Sequence, residues 1–156
     1  MSTVRDLDIS KYMGEWHEIA KYPFKYQIPC DRSKAIYKWD SINNKILVEN
    51  QCFKNGQMIG SRTAKAWIPD ENDPGKLLIV FDPKNGLPTD PGPGDYLIHW
   101  TDYENSIVGS PDKQLLWWLS RNPTVRARDV EPMLSLIRTY GYDTEKLLAN
   151  PEVVIK

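Results

Sequence analysis

The strongest constraint on this chain is its punctuation. Short strand-like stretches follow one another, each closed by turn chemistry, and no apolar run is longer than five residues. Gly14 to Tyr22 opens the series. Ser33 to Trp39 and Lys45 to Phe53 come next, joined by Asp40-Ser41-Ile42-Asn43-Asn44, whose residues tolerate the backbone angles of a hairpin turn. Asn55-Gly56 is a second turn signal and leads into Met58–Ile68. Pro69 to Gly75 reads as a plain loop, and Lys76–Phe81 as the next strand. Between Asp82 and Gly94 lie four prolines and three glycines, which predict an irregular loop at a strand mouth. Asp95–Trp100, Asn105–Gly109 and Gln114–Arg121 complete a set of eight. Eight sequential antiparallel strands are the number that closes an up-and-down barrel around one small ligand.

One helix follows the strands. Val130, Met133, Leu134, Ile137 and Tyr140 fall on a single stripe, with Asp129 and Glu131 near its start, Arg138 near its end and Gly141 as a stop. A helix with one apolar face, arriving after a barrel-like sheet, is expected to pack on the outside of that sheet. The tail Glu145–Lys156 offers a short extra strand. No repeat, low-complexity tract or linker interrupts the chain, so residues 1–156 read as one domain.

Composition removes several function classes. Lys and Arg number 20 against 21 Asp and Glu, a formal charge of −1, whereas a nucleic-acid binder needs a basic excess. The longest apolar runs, Leu77–Phe81 and Leu115–Leu119, are too short for a membrane-spanning helix. Met1 to Asp6 lacks the apolar stretch of a secretory signal, which favours a cytoplasmic location, with secretion the alternative if a signal has been removed. Two cysteines are too few for a disulfide scaffold or a zinc site, so neither metal nor cofactor is expected. Six Trp and eight Tyr must bury their rings against each other, a helix or a ligand.

Catalytic motifs are poorly supplied. His17-Glu18-Ile19-Ala20-Lys21 begins like a metalloprotease helix but ends in lysine and lies on a strand. The chain has no phosphate-binding loop, nucleophile elbow or dinucleotide fingerprint. Cys30 or Cys52 with His99 is the one conceivable nucleophile and base. No catalytic residue is assigned, and a non-enzymatic protein is expected.

Three separated motifs agree in order and spacing. Gly14-Glu15-Trp16 stands within Lys11-Tyr12-Met13-Gly14-Glu15-Trp16-His17-Glu18-Ile19-Ala20, Thr101-Asp102-Tyr103 lies between the sixth and seventh strands, and Arg121 ends the eighth. In these the chain resembles the lipocalins over nearly its whole length. The Gly-Glu-Trp-His-Glu-Ile-Ala opening, Leu115 to Arg121 and Tyr140-Gly141-Tyr142-Asp143 are similar to the branch of bacterial outer-membrane lipocalins, plant temperature-induced lipocalins and apolipoprotein D. His17 stands where that branch usually has tyrosine. The segment around Trp100-Thr101-Asp102-Tyr103 is shorter and the loop before it larger, differences that bear on ligand preference. The resemblance implies an all-β, eight-stranded antiparallel barrel with one C-terminal helix outside. It also implies structural roles for Gly14, Trp16, Thr101, Asp102, Tyr103 and Arg121. An indole from the first strand can floor the barrel, and a guanidinium stacks well on an indole face.

If Trp16 points inward, a strand period of two sends Glu18, Ala20 and Tyr22 inward as well. By alignment with the family, Ala35, Tyr37 and Trp39 face in on the second strand and Val48 and Asn50 on the third. Ala64 and Ala66 are favoured on the fourth. Leu77, Ile79 and Phe81 follow on the fifth, Tyr96, Ile98 and Trp100 on the sixth, and Leu115, Trp117 and Leu119 on the eighth. Small residues among aromatics leave room for a ligand. Glu18, a carboxylate among apolar walls, either anchors a polar ligand head or bonds to Tyr or Asn neighbours such as Asn50.

The resemblance implies carriage of a lipophilic small molecule, a fatty acid, lysophospholipid or similar lipid, in membrane maintenance or stress protection. The alternatives are a lipocalin-type enzyme acting on a lipophilic substrate, or a membrane-surface protein. Tyr22 to Pro29, aromatic and basic beside the expected mouth, reads as a lid or as a peripheral membrane contact. Oligomeric state is left open. In the hairpin of the second and third strands, paired numbers are expected to sum to about 85, which sets Cys52 opposite Ser33 with Cys30 just upstream. The two cysteines can bridge when oxidised. Two free thiols in a reducing compartment are the other outcome.

Overall fold

In the computed structural model, the residues described are 3–23, 30–82, 94–150 and 154–156. A four-residue helix α1 (Ile9–Tyr12) precedes eight barrel strands: β1 (Gly14–Lys21), β2 (Arg32–Asp40), β3 (Lys45–Lys54), β4 (Gln57–Trp67), β5 (Lys76–Phe81), β6 (Gly94–Thr101), β7 (Asn105–Gly109) and β8 (Leu116–Ser120). The short β9 (Thr124–Val125) leads into α2 (Ala127–Thr139), and β10 (Leu148–Ala149) and β11 (Val154–Ile155) follow. Each barrel strand pairs antiparallel with the next, and β1 pairs with β8 to close the ring. The sheet thereby has no long open edge to attract a second chain.

The β2–β3 register runs from Arg32 opposite Phe53 to Asp40 opposite Lys45, as the hairpin arithmetic requires. Asp40 fixes that turn: its carboxylate accepts from the Ile42 and Asn43 N–H groups and from the Asn43 amide. Asn44 adopts the left-handed conformation that lets the chain reverse, with φ +55°.

Two apolar layers result. An inner one contains Trp16, Tyr37, Val48, Ala64, Ala66, Leu77, Ile79, Ile98, Val108 and Leu119. An outer one joins Ile19, Ala20, Ile107, Leu116 and Trp118 to Met133 and Ile137 of α2, so the helix covers the outside of the barrel. Gly109 gives this outer layer its closest approach, because a Cβ there would fall 2.0 Å from the Tyr142 hydroxyl. The tail supplies two short strands rather than one: β10 extends the sheet beside the end of β1, and β11 lies parallel to β9. Of the two loops predicted at the mouth, residues 24–29 and 83–93 lie outside the described residues.

Candidate functional site

The barrel is sealed at the end where β1 begins. Asp8 caps α1 by accepting from the Ser10 N–H, and the helix delivers Tyr12 into the floor. Trp16 is fully buried, donates its indole N–H to the Tyr12 carbonyl at 2.9 Å, and lies 4.9 Å from the Tyr12 ring centre to centre. The Tyr12 hydroxyl meets that of Ser106 at 2.8 Å, which satisfies both buried groups. Arg121 stacks on the indole at 3.8 Å. Its guanidinium donates to four carbonyls, those of Tyr103, Glu15, Lys11 and Met13, at 2.8–3.1 Å. Gly14 is required here twice: its φ is +106°, and a Cβ would stand 3.2 Å from the Arg121 Nη1.

Thr101, Asp102 and Tyr103 form the turn that receives this arginine. The Thr101 hydroxyl donates to the Asn105 carbonyl and accepts from the Tyr103 N–H, while Asp102 accepts from the N–H groups of Glu104 and Asn105. Tyr103 itself is left-handed, and its hydroxyl accepts from the Asp8 N–H. The motif residues therefore form one connected end-plug.

Above the floor, the structure brings together Glu18, Ala35, Tyr37, Val48, Ile79 and Ile98, all buried, with Phe81, Tyr96 and Trp117 half-buried against the inner layer. Tyr96 and Trp117 stack at 5.3 Å. Asn50 faces in, register-paired with Ala35 on one side and Arg62 on the other. Burial pushes the Tyr37 hydroxyl up to about 12, so it stays protonated at ordinary pH.

Three expectations are corrected, two of them by β-bulges. On β1, Glu18 faces Leu119 and Ala20 faces Trp118, leaving Ile19 as an extra residue. The bulge turns Ile19 and Ala20 together into the outer layer and carries Lys21 inward, opposite Trp117. Ala20 therefore packs beneath α2, and Tyr22 follows it, edge-on to Tyr142. On β6, Ile98 faces Val108 and Trp100 faces Ile107. His99 and Trp100 both turn outward, and Trp100 lies against the outer layer instead of the interior. The third correction is Trp39. It has inward parity, but Gly14 at the start of β1 pairs with Tyr37, so Trp39 extends past the floor and is 47% exposed.

The conceivable nucleophile and base do not meet. Cys30 and Cys52 are joined to each other, with Cα atoms 5.4 Å apart, tying the incoming segment to β3 at the mouth. His99 is buried on the opposite side of the wall, 2.6 Å from the Tyr142 hydroxyl and stacked on Tyr140. Among the described residues no group of three acidic, His or Cys side chains is placed to hold a metal ion. No helix there is long and apolar enough to cross a membrane.

Glu18 finds its partner in Lys21, whose Nζ is 3.3 Å from Oε1. The Asn150 amide donates to the Glu18 backbone carbonyl at 2.7 Å. Sequence reasoning missed Lys21 because three residues along a regular strand is the opposite face, and only the bulge brings it round. It also missed Arg62, whose guanidinium lies over the Phe81 ring at 5.5 Å on the inward side.

A ring of antiparallel strands, plugged at one end and lined above the plug by apolar and aromatic side chains, defines the class of small β-barrels that enclose one ligand. Residues 7–152 match the family model described as a lipocalin-like domain. The chain belongs to the lipocalin family, whose members bind small hydrophobic molecules. It is 31% identical to temperature-induced lipocalin-1 of Arabidopsis thaliana, over 97% of this chain and 83% of that protein. It is 26% identical to the outer membrane lipoprotein Blc of Citrobacter freundii, over 95% and 81%. Among solved structures, insecticyanin of Manduca sexta superposes with a TM-score of 0.73 at 24% identity, over 96% and 83%, a likeness of fold.

Proposed function

We propose that the protein is a non-enzymatic carrier of a single lipophilic molecule held between the plug and the mouth. The supporting observation is the inward wall. Small side chains at Ala35, Ala64 and Ala66 alternate with Tyr37, Tyr96 and Trp117 over a floor sealed by hydrogen-bonded rings. Similarity to plant temperature-induced and bacterial outer-membrane proteins supports a membrane lipid, a fatty acid or lysophospholipid, as the cargo, in membrane maintenance or stress protection. Met58 and Ile59, exposed beside the β3–β4 turn at the mouth, suit contact with a lipid surface during exchange. The Cys30–Cys52 bridge favours an oxidising compartment over a cytoplasmic one.

The test is titration with a fluorescent fatty acid, read by quenching of tryptophan fluorescence. Saturation at one per chain is expected, and Ala35→Trp, which fills the wall between Trp16 and Asn50, should abolish it while the protein stays folded. Unchanged affinity in Ala35→Trp would place the ligand elsewhere. Mass spectrometry of the recovered lipid completes the test, since chemical conversion would replace the carrier reading with an enzymatic one.

A further inference from the structure

Glu18 and Lys21 form an ion pair on the inward face of a barrel that is otherwise largely apolar. Glu18 is only 8% exposed, opposite Leu119, and Lys21 is opposite Trp117. The ammonium reaches Oε1 at 3.3 Å but approaches obliquely, so this buried oxygen has no aligned hydrogen bond. A buried acceptor in that state costs free energy until a donor fills it. The other charged side chain facing in from the described strands is Arg62 on β4. Tyr37 on β2 and the Asn150 amide beside β1 are the remaining polar groups close to Glu18.

The pair carries no net charge, and this decides which ligand heads suit it. A carboxylate drawn to Lys21 would be repelled by Glu18 from nearly the same distance, and its lost hydration would not be recovered. An ester accepts from Lys21 but has nothing to give Glu18. A hydroxyl does both, donating to Oε1 while accepting from Nζ. Resting on the carrier reading, but replacing the fatty acid or lysophospholipid suggested by similarity as the preferred cargo, we infer that the Glu18–Lys21 pair selects an uncharged ligand head bearing a hydroxyl, the chemistry of a long-chain alcohol, a monoacylglycerol or a sterol.

Three probes of equal chain length separate the possibilities: a long-chain alcohol, the matching carboxylic acid and its methyl ester. Each is titrated against tryptophan fluorescence at mildly alkaline pH, with native mass spectrometry giving the stoichiometry. The alcohol should bind about tenfold more tightly than the acid or the ester, the scale of one well-placed hydrogen bond. Glu18→Gln leaves Lys21 unopposed and should invert the order, with the acid gaining about tenfold. The double variant Glu18→Gln/Lys21→Met leaves no buried charge at this point, so it should fold and bind all three probes with the discrimination gone. If the acid binds parent and double variant equally and best, the head lies elsewhere, as at Arg62, and the inference falls while the carrier reading stands. If none of the three probes binds the parent, both fall together.

Discussion

Arg121 concentrates more of the architecture than any other side chain. A lysine in its place could keep the charge but not the fork, because only a planar guanidinium can stack on Trp16 and donate in several directions within one plane. Arg121→Ala should therefore lower stability by about 2–4 kcal/mol, since it strands four carbonyls and uncovers the indole. Arg121→Lys should recover less than half of that loss, as measured by urea unfolding. Glu18 adds a pH dependence. Burial raises its carboxyl above the ordinary value of 4.5, against the opposing pull of Lys21 and Asn150. The folded state thus holds this proton more tightly than the unfolded state does. The favourable contribution is complete below pH 4.5 and is lost as the pH climbs through the folded-state value. Unfolding midpoints of the parent should fall more steeply from pH 4.5 towards neutrality than those of Glu18→Gln/Lys21→Met; parallel profiles would show that Glu18 does not titrate differently on folding.

At the scale of elements, the two bulges sort the side chains between ligand space and helix. Ile137 of α2 is fully buried in the outer layer, on the far side of the wall from Tyr37 and Trp117. Ile137→Ala should cost about 3 kcal/mol through the cavity it leaves, while ligand affinity, measured by the same fluorescence titration, stays as it was. A large loss of affinity would mean that the wall does not separate the two layers. The same geometry explains what could be read from the chain in advance. The β2–β3 register was accessible because Asp40 to Asn44 is a turn with few alternatives, and counting from it fixes every pair up to Ser33 and Cys52. The plug was accessible because Gly14, Trp16 and Arg121 have distinctive chemistry. Alternation failed at Glu18-Ile19-Ala20 and at Ile98-His99-Trp100, where α2 or the tail covers the outside and both faces of the strand are apolar or buried. With apolar residues on both faces, a period of two carries no information about a bulge. At Trp39 the parity was right and the height wrong, since the alternating pattern says nothing about where along a strand the floor lies. Helix α1 escaped notice because four residues are too few to show a period.

For the whole molecule, closure of the ring joins two strands that lie about a hundred residues apart along the chain. β1 must find β8, and the Arg121 guanidinium reaches the Lys11 carbonyl across 110 residues. The hairpins from β2 to β8 are local by comparison, so their pairing can precede the meeting of the two ends. Loop-closure entropy sets the cost of that last meeting, and the plug can only assemble once it has happened. The guanidinium–indole stack then belongs to the product of folding and not to its nucleus. It acts as a latch on escape. Arg121→Ala should leave the refolding rate near that of the parent and speed unfolding on the order of a hundredfold, which stopped-flow chevrons would resolve. A mainly slowed refolding limb would instead place ring closure in the transition state. With the latch set, the lifetime of the closed barrel is governed by how seldom its two ends part, and on the proposed carrier reading cargo exchanges at the end away from the plug without the base first coming undone.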